Sequence, residues 1–165
     1  MTDVILPPAK QFLRDHAVRG GMDLLFFAHR SHLQRADEEL ERMGLGRAHH
    51  RVLYCLSRRP GMTVGELLAV LAITKQSIGR VLKQLLAQNL IERRAGVQDR
   101  RQRHLFLTAD GSALEHRLFA DLRENMARAY TSAGEEAVAG YWVVMQHLMT
   151  QDVQDQFLAF QSASR

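Results

Sequence analysis

The sequence predicts a mainly α chain of the α+β class, in which a helix-turn-helix and a β-hairpin sit between longer helices. Three observations carry this. Apolar residues recur every three or four positions through 18–43 and again through 114–148, the period of helices buried along one face. Two short helical segments, 63–71 and 75–88, are separated by a turn of about three residues. The segments LIERR and RHLFLT then read as short strands flanking AGVQDRRQ.

The first helix is marked by Val18, Met22, Leu25, Phe26, His29, Leu33, Ala36, Leu40 and Met43. Gly44 and Gly46 end it, as glycine does just past a helix. A second helix is expected across HHRVLYCLS, stopped by Arg59-Pro60-Gly61. Thr63 and Glu66 then have capping-box spacing at the head of TVGELLAVL.

Thr74 caps the next helix, where Ile78, Val81, Leu82, Leu85 and Leu86 form one stripe. After the hairpin, with Gly96 near its tip, Thr108 caps a long helix to about Tyr130. Leu114, Leu118, Leu122 and Met126 mark it at four-residue spacing. Gly134 separates it from a last helix bearing Val138, Tyr141, Trp142, Met145 and Leu148.

The chain has 165 residues, a net charge of +4 and one cysteine. A lone Cys55 excludes an intramolecular disulfide framework and a CxxC zinc site. Neither a signal peptide nor a membrane span is visible, so a soluble, cytoplasmic protein without membrane contact is expected. Glycine-rich phosphate loops and the G-x-S-x-G nucleophile motif are missing, so the expected protein is not an enzyme.

The charge is localised. Between Thr74 and Thr108 lie Lys75, Arg80, Lys83, Arg93, Arg94, Arg100, Arg101 and Arg103, against Glu92 and Asp99. That excess of six basic groups exceeds the charge of the whole chain, as an electrostatic footprint for phosphate requires. Opposite the apolar stripe of the second short helix lie Lys75, Gln76, Gly79, Arg80 and Lys83, with Ser77 near its start. These side chains, with Thr63 and Thr74, suit base edges and phosphates. Gly79 would permit close approach to DNA or to the preceding helix.

The hairpin tip offers Arg100, Arg101 and Arg103 as a prong narrow enough for a minor groove. Asp99 can pair with an arginine and fix its direction, which lowers the entropy lost on binding. Leu105 and Leu107 anchor the prong.

With these residues in order, the chain resembles the MarR family of bacterial winged-helix regulators. Asp99 and Arg101, followed after five residues by Leu107-Thr108, match the family's wing signature, and LTADG its strand-to-helix junction. The resemblance spans roughly residues 18–150. It implies a winged helix-turn-helix lobe with a two-stranded β-wing at 44–108. Residues 1–43 would form an arm and dimerisation helix, and 109–165 the C-terminal dimerisation helices and tail.

It further implies a homodimer, interlocked through Leu25, Leu33, Leu118, Leu122, Met126, Trp142 and Met145, that binds a pseudopalindromic double-stranded operator, usually as a repressor. The helix from Thr74 would read the major groove and Arg101 the minor groove. A small-molecule effector is expected in the crevice between the dimerisation and winged lobes, its residues unassigned.

Two competing readings stand beside this one. His29, His32, His49, His50 and His116 offer ligands for a metal- or haem-binding sensor, with His29, His49, His50 and His116 as its candidates. They show neither HxxxH nor HExxH spacing, and no cofactor is expected. An architectural DNA binder would share the basic lobe but prefer no sequence. Val52, Leu53 and Leu56 place Cys55 on an apolar face, as a buried structural thiol. Peroxide-sensing relatives carry their cysteine in the N-terminal helix, where this chain has none.

Overall fold

The structure is a computed structural model that describes residues 4–7, 10–96 and 102–162. The first helix, α1 (Asp15–Arg42), begins three residues before its first expected apolar position, with Asp15 in the first turn where its charge complements the helix dipole. Only Ala36 and Leu40 of α1 are buried. Gly44 closes it in the left-handed region at φ 69°, and the Leu45 N–H reaches back to the Leu40 carbonyl at 2.8 Å.

Helix α2 (Arg47–Arg58) also starts earlier than its apolar pattern, because the His49 ring accepts the Gly46 N–H at 3.1 Å and serves as a cap. Arg47 grips Asp37 of α1 through two nitrogens at 2.7 and 2.9 Å.

Pro60 and Gly61 turn the chain into β1 (Met62–Thr63), which runs into α3 (Val64–Leu71). Gly61 has φ 84°, and a Cβ there would sit 3.1 Å from the Phe106 ring. The Thr63 hydroxyl accepts the Glu66 N–H, and the Glu66 carboxylate accepts the Thr63 N–H at 2.7 Å. The reciprocal cap expected from the spacing is therefore formed.

Ala72 takes the left-handed conformation at φ 50°, at a cost of about 1 kcal/mol for a residue with a Cβ. The Arg51 guanidinium reaches across from α2 to the Leu71 carbonyl at 2.9 Å and satisfies the end of α3. Helix α4 (Lys75–Ala87) follows, with Ile78, Val81, Leu82 and Leu85 buried as the stripe requires.

Strands β2 (Ile91–Ala95) and β3 (Arg103–Leu107) pair antiparallel from Ile91↔Leu107 to Ala95↔Arg103. The expected two-stranded wing gains a third strand. β1 pairs with the other side of β3 at Met62↔Leu105 and Thr63↔His104, giving the order β1-β3-β2. Two residues are too short to show a period of two, so β1 has no signature of its own.

The long helix α5 (Ala109–Ala133) lies against α1 and α2, α6 (Glu135–His147) follows Gly134, and α7 (Gln151–Ser162) occupies what composition marks only as a tail. Phe160 of α7 packs beside Tyr54 of α2 with ring centroids 6.3 Å apart.

One core joins these elements, and Leu40, Leu53, Leu82, Leu105, Leu114 and Leu118 are fully buried in it. No helix among the described residues is long and apolar enough to cross a membrane.

The start of α5 meets the end of α4 at Leu90. The Thr108 hydroxyl accepts the Gly111 N–H at 3.0 Å and donates to the Asn89 carbonyl at 2.6 Å. A Cβ on Gly111 would fall 1.8 Å from the Leu90 carbonyl oxygen. We predict that Gly111→Ala destabilises the protein by about 3 kcal/mol, because backbone and not a flexible side chain must move. The melting temperature should fall by about 6–12 °C. An unchanged melting curve would mean that this junction opens without cost.

Candidate nucleic-acid interface

The chain assembles one exposed polar surface on a buried apolar support. The Thr74 hydroxyl accepts the Ser77 N–H at 3.2 Å and donates to the Ser77 hydroxyl at 3.0 Å, which starts α4. Lys75, Gln76, Ser77, Arg80 and Lys83 are all exposed on it, while Ile78, Leu82 and Leu85 face the core on the other side. Within the described residues no carboxylate lies within salt-bridge distance of Lys75, Arg80 or Lys83.

Gly79 belongs to the same outward face. A Cβ there would meet nothing within 4 Å, so the glycine does not serve packing against the preceding helix. Thr63 is a different case: half-buried, it gives its N–H and hydroxyl to Glu66. It is a helix cap and not a free donor to an incoming ligand. The hydrogen bond from the Thr63 N–H, ahead of the opposing effect of burial, holds the Glu66 carboxyl below its ordinary pKa.

Strand β2 of the hairpin contacts α4. Arg93, Arg94 and Arg103 are exposed, and the Gly96 N–H reaches the Gln102 carbonyl at 3.0 Å beyond the last strand pair. Asp99, Arg100 and Arg101 lie outside the described residues.

Within the described part, an arginine braced by a carboxylate is found at a position the sequence does not single out. Arg94 Nε donates to Glu92 at 3.0 Å, and its guanidinium lies 4.4 Å from the Phe106 ring centroid. Glu92 and Arg94, two apart on one strand, share a face, which is the signal that could have found the pair. The His104 ring contacts the Gly61 carbonyl at 2.7 Å and ties the hairpin's inner strand to the turn before β1.

The residues expected at a dimer interface divide. Leu25 and Trp142 are 44% and 45% exposed, and Leu33, Leu122, Met126 and Met145 are half-buried. Leu118 is fully buried in the chain's own core. Its four-residue spacing reports packing within the chain, so Leu118 is corrected from interface to core. Apolar side chains left uncovered include those of the first half of α1, among them Val18, Met22 and Phe26, and the α6 stretch Tyr141–Val144.

The histidines do not converge on a ligand set. His49 uses both ring nitrogens, on Gly46 and Gln84. His29 and His116 are exposed on separate helices, and His50 is buried. Burial lowers the pKa of His50 and of His32, whose ring lies 3.3 Å from the Asn125 amide. Among the described residues no group of three His, Cys, Asp or Glu side chains is placed to hold a metal ion.

Comparison with known proteins adds to this geometry. A sequence model described as MarR family matches residues 43–102. The chain is 44% identical over 138 residues to the HTH-type transcriptional regulator PetP of Rhodobacter capsulatus, covering 84% of this chain and 83% of that protein. The fold is similar to that of the MarR family transcription regulator SP03579, with a TM-score of 0.71 at 22% identity over 94% of this chain and 99% of that one. It is also similar to MepR of S. aureus in a complex with DNA, with a TM-score of 0.60 at 20% identity over 78% and 97% of the two chains.

Cys55 is 3% exposed, and burial pushes its thiol up to about 11 against the opposing charges of Arg51 and Arg59. The expected burial of the thiol is found, and a raised pKa disfavours the reactive thiolate. At about pH 8 the native protein should react with iodoacetamide more than about a hundredfold more slowly than in urea. Equal rates in the two conditions would show that α2 opens and that the thiol is available for redox chemistry.

Proposed function

The chain belongs to the MarR family of DNA-binding transcriptional regulators, and from that premise we propose that it acts as a homodimer on a pseudopalindromic operator. The observation that carries this reading is the outward face of α4, where Lys75, Gln76, Ser77, Arg80 and Lys83 stand exposed beside a basic hairpin.

An α-helix fits the major groove, where Gln and Arg read adenine and guanine edges. Its lysines take phosphates and release counterions, which supplies sequence-independent affinity. The lobe at 44–108 is the DNA-binding unit in this reading, with Arg100, Arg101 and Arg103 directed to a minor groove and Asp99 pairing with an arginine to fix its direction.

Dimerisation rests on the apolar surface of α1 and α6. Exposed residues such as Met22, Leu25, Phe26, Trp142 and Val144 lie on the helical frame, away from the α4 face. Large apolar side chains left exposed in such number on two helices suit a protein interface. Two copies related by a two-fold axis would present two α4 helices about one DNA turn, or ~34 Å, apart. Repression would follow from occupation of the operator. A small effector bound between the helical frame and the winged lobe would release it by favouring a different spacing of the two lobes.

The reading is tested with a duplex enriched by the wild-type protein from a randomised pool. Arg80→Ala and Arg101→Ala should each cost about 1–3 kcal/mol of binding free energy, with sedimentation unchanged from the wild type. Wild-type affinity in both variants would remove α4 and the wing from the interface.

A further inference from the structure

The end of α4 remote from Thr74 carries a polar network that does not face the proposed DNA surface. Gln84 and Gln88 are four residues apart and therefore share one helix face. Gln84 Nε2 donates to the Gly44 carbonyl at 2.7 Å, and Gln88 Nε2 donates to the Met43 carbonyl at 3.1 Å. Gln84 Oε1 faces His49 Nε2 at 3.0 Å, while His49 Nδ1 accepts the Gly46 N–H at 3.1 Å.

These bonds determine one another. A ring whose Nδ1 accepts carries its proton on Nε2, so Nε2–H must meet an oxygen. That fixes the Gln84 amide with its oxygen on His49 and its NH2 group on Gly44.

Met43 and Gly44 directly follow the last turn of α1, where carbonyls lack partners within the helix. Gln84 of α4 and Gln88, the residue that ends that helix, thus cap the end of α1, and a third group from α2 orients Gln84. The apolar stripe of α4 binds it to the core through contacts that have no direction, whereas hydrogen bonds weaken steeply with misalignment. The stripe sets how deep α4 lies, and the glutamines set its rotation and its position along its axis. Arg47 on Asp37 and Arg117 on Glu39 hold α2 and α5 to the same half of α1.

We infer that Gln84, Gln88 and His49 are positioning residues that hold α4 at a fixed angle to α1 and thereby set the separation of the two recognition helices in the dimer. This rests on the proposed reading that α1 carries the dimer contact and α4 the DNA contact. The amides themselves are not spent on DNA: their NH2 groups are bound to the Gly44 and Met43 carbonyls, off the outward face of α4.

The test varies the distance between half-sites. The duplex enriched by the wild-type protein is remade with its half-sites one base pair closer and one base pair further apart, a step of about 3.4 Å. Affinity is measured for the wild type and for Gln84→Met/Gln88→Met, which keeps side-chain length and helix propensity but loses the bonds.

The double variant should remain dimeric in sedimentation and keep the wild-type salt dependence, since phosphate contacts are untouched. It should bind the parent duplex about five- to tenfold more weakly and discriminate less between the three spacings. A variant that weakens by one factor on every spacing, or not at all, overturns the inference and leaves the glutamines a purely stabilising role. Should the wild type itself bind all spacings alike, the dimeric reading fails, and the inference falls with it. If the double variant is unfolded at the assay temperature, Gln88→Met alone, which removes the exposed bond, is judged by the same criteria.

Discussion

Gly111 lies so close to the backbone of Leu90 that any side chain there would drive α5 away from the end of α4. Around that contact the chain closes a small loop of bonds. The Thr108 N–H donates to the Leu90 carbonyl at 3.2 Å, the Thr108 hydroxyl to the Asn89 carbonyl, and the Asn89 side chain to Asp110 at 3.2 Å. Asn89 itself takes the left-handed conformation at φ 55°, which lets α4 stop and β2 begin within three residues. The junction therefore sets three directions at once: the exit of α4, the entry of the hairpin and the departure of α5. The polar surface stays together because these three elements leave one point.

The division of chemistry along the chain follows from that frame. Hydrophobic burial runs through the lobe, at Leu53, Leu67, Leu82 and Leu105, and continues into the second half of α1 at Leu40 and the first half of α5 at Leu114 and Leu118. Exposed basic side chains gather on α4 and on the described part of the hairpin, at Lys75, Arg80, Lys83, Arg93 and Arg103. The first half of α1 and much of α6 keep apolar side chains in the open, which costs solvation unless another surface covers them. A helix that is buried at one end and bare at the other is suited to joining two copies while staying fixed to its own lobe.

Much of this was legible in the sequence because it rests on local rules. The caps at Thr63, Thr74 and Thr108 form as their spacing to Glu66, Ser77 and Gly111 requires, and the α4 stripe buries the residues its period names. Burial of Cys55 followed from its apolar neighbours. Other features depend on contacts between distant residues and leave no local trace. Strand β1 exists because β3 has a free edge. Gln84 and Gln88 meet carbonyls about forty residues earlier in the chain. A four-residue apolar spacing reports a buried face, not whose side chains bury it, so the spacing at Leu118 fits an interface and the chain's own core equally well. Helix α7 has no fully buried residue and so too weak a stripe to separate it from a tail.

On the proposed reading, two copies of this chain read DNA together through α4. The most direct measurement is selection of bound duplexes from a randomised pool, read out by sequencing. The account predicts an enriched inverted repeat whose half-sites are centred about one helical turn, ~34 Å, apart. An enriched single half-site, or no enriched sequence at all, would contradict it.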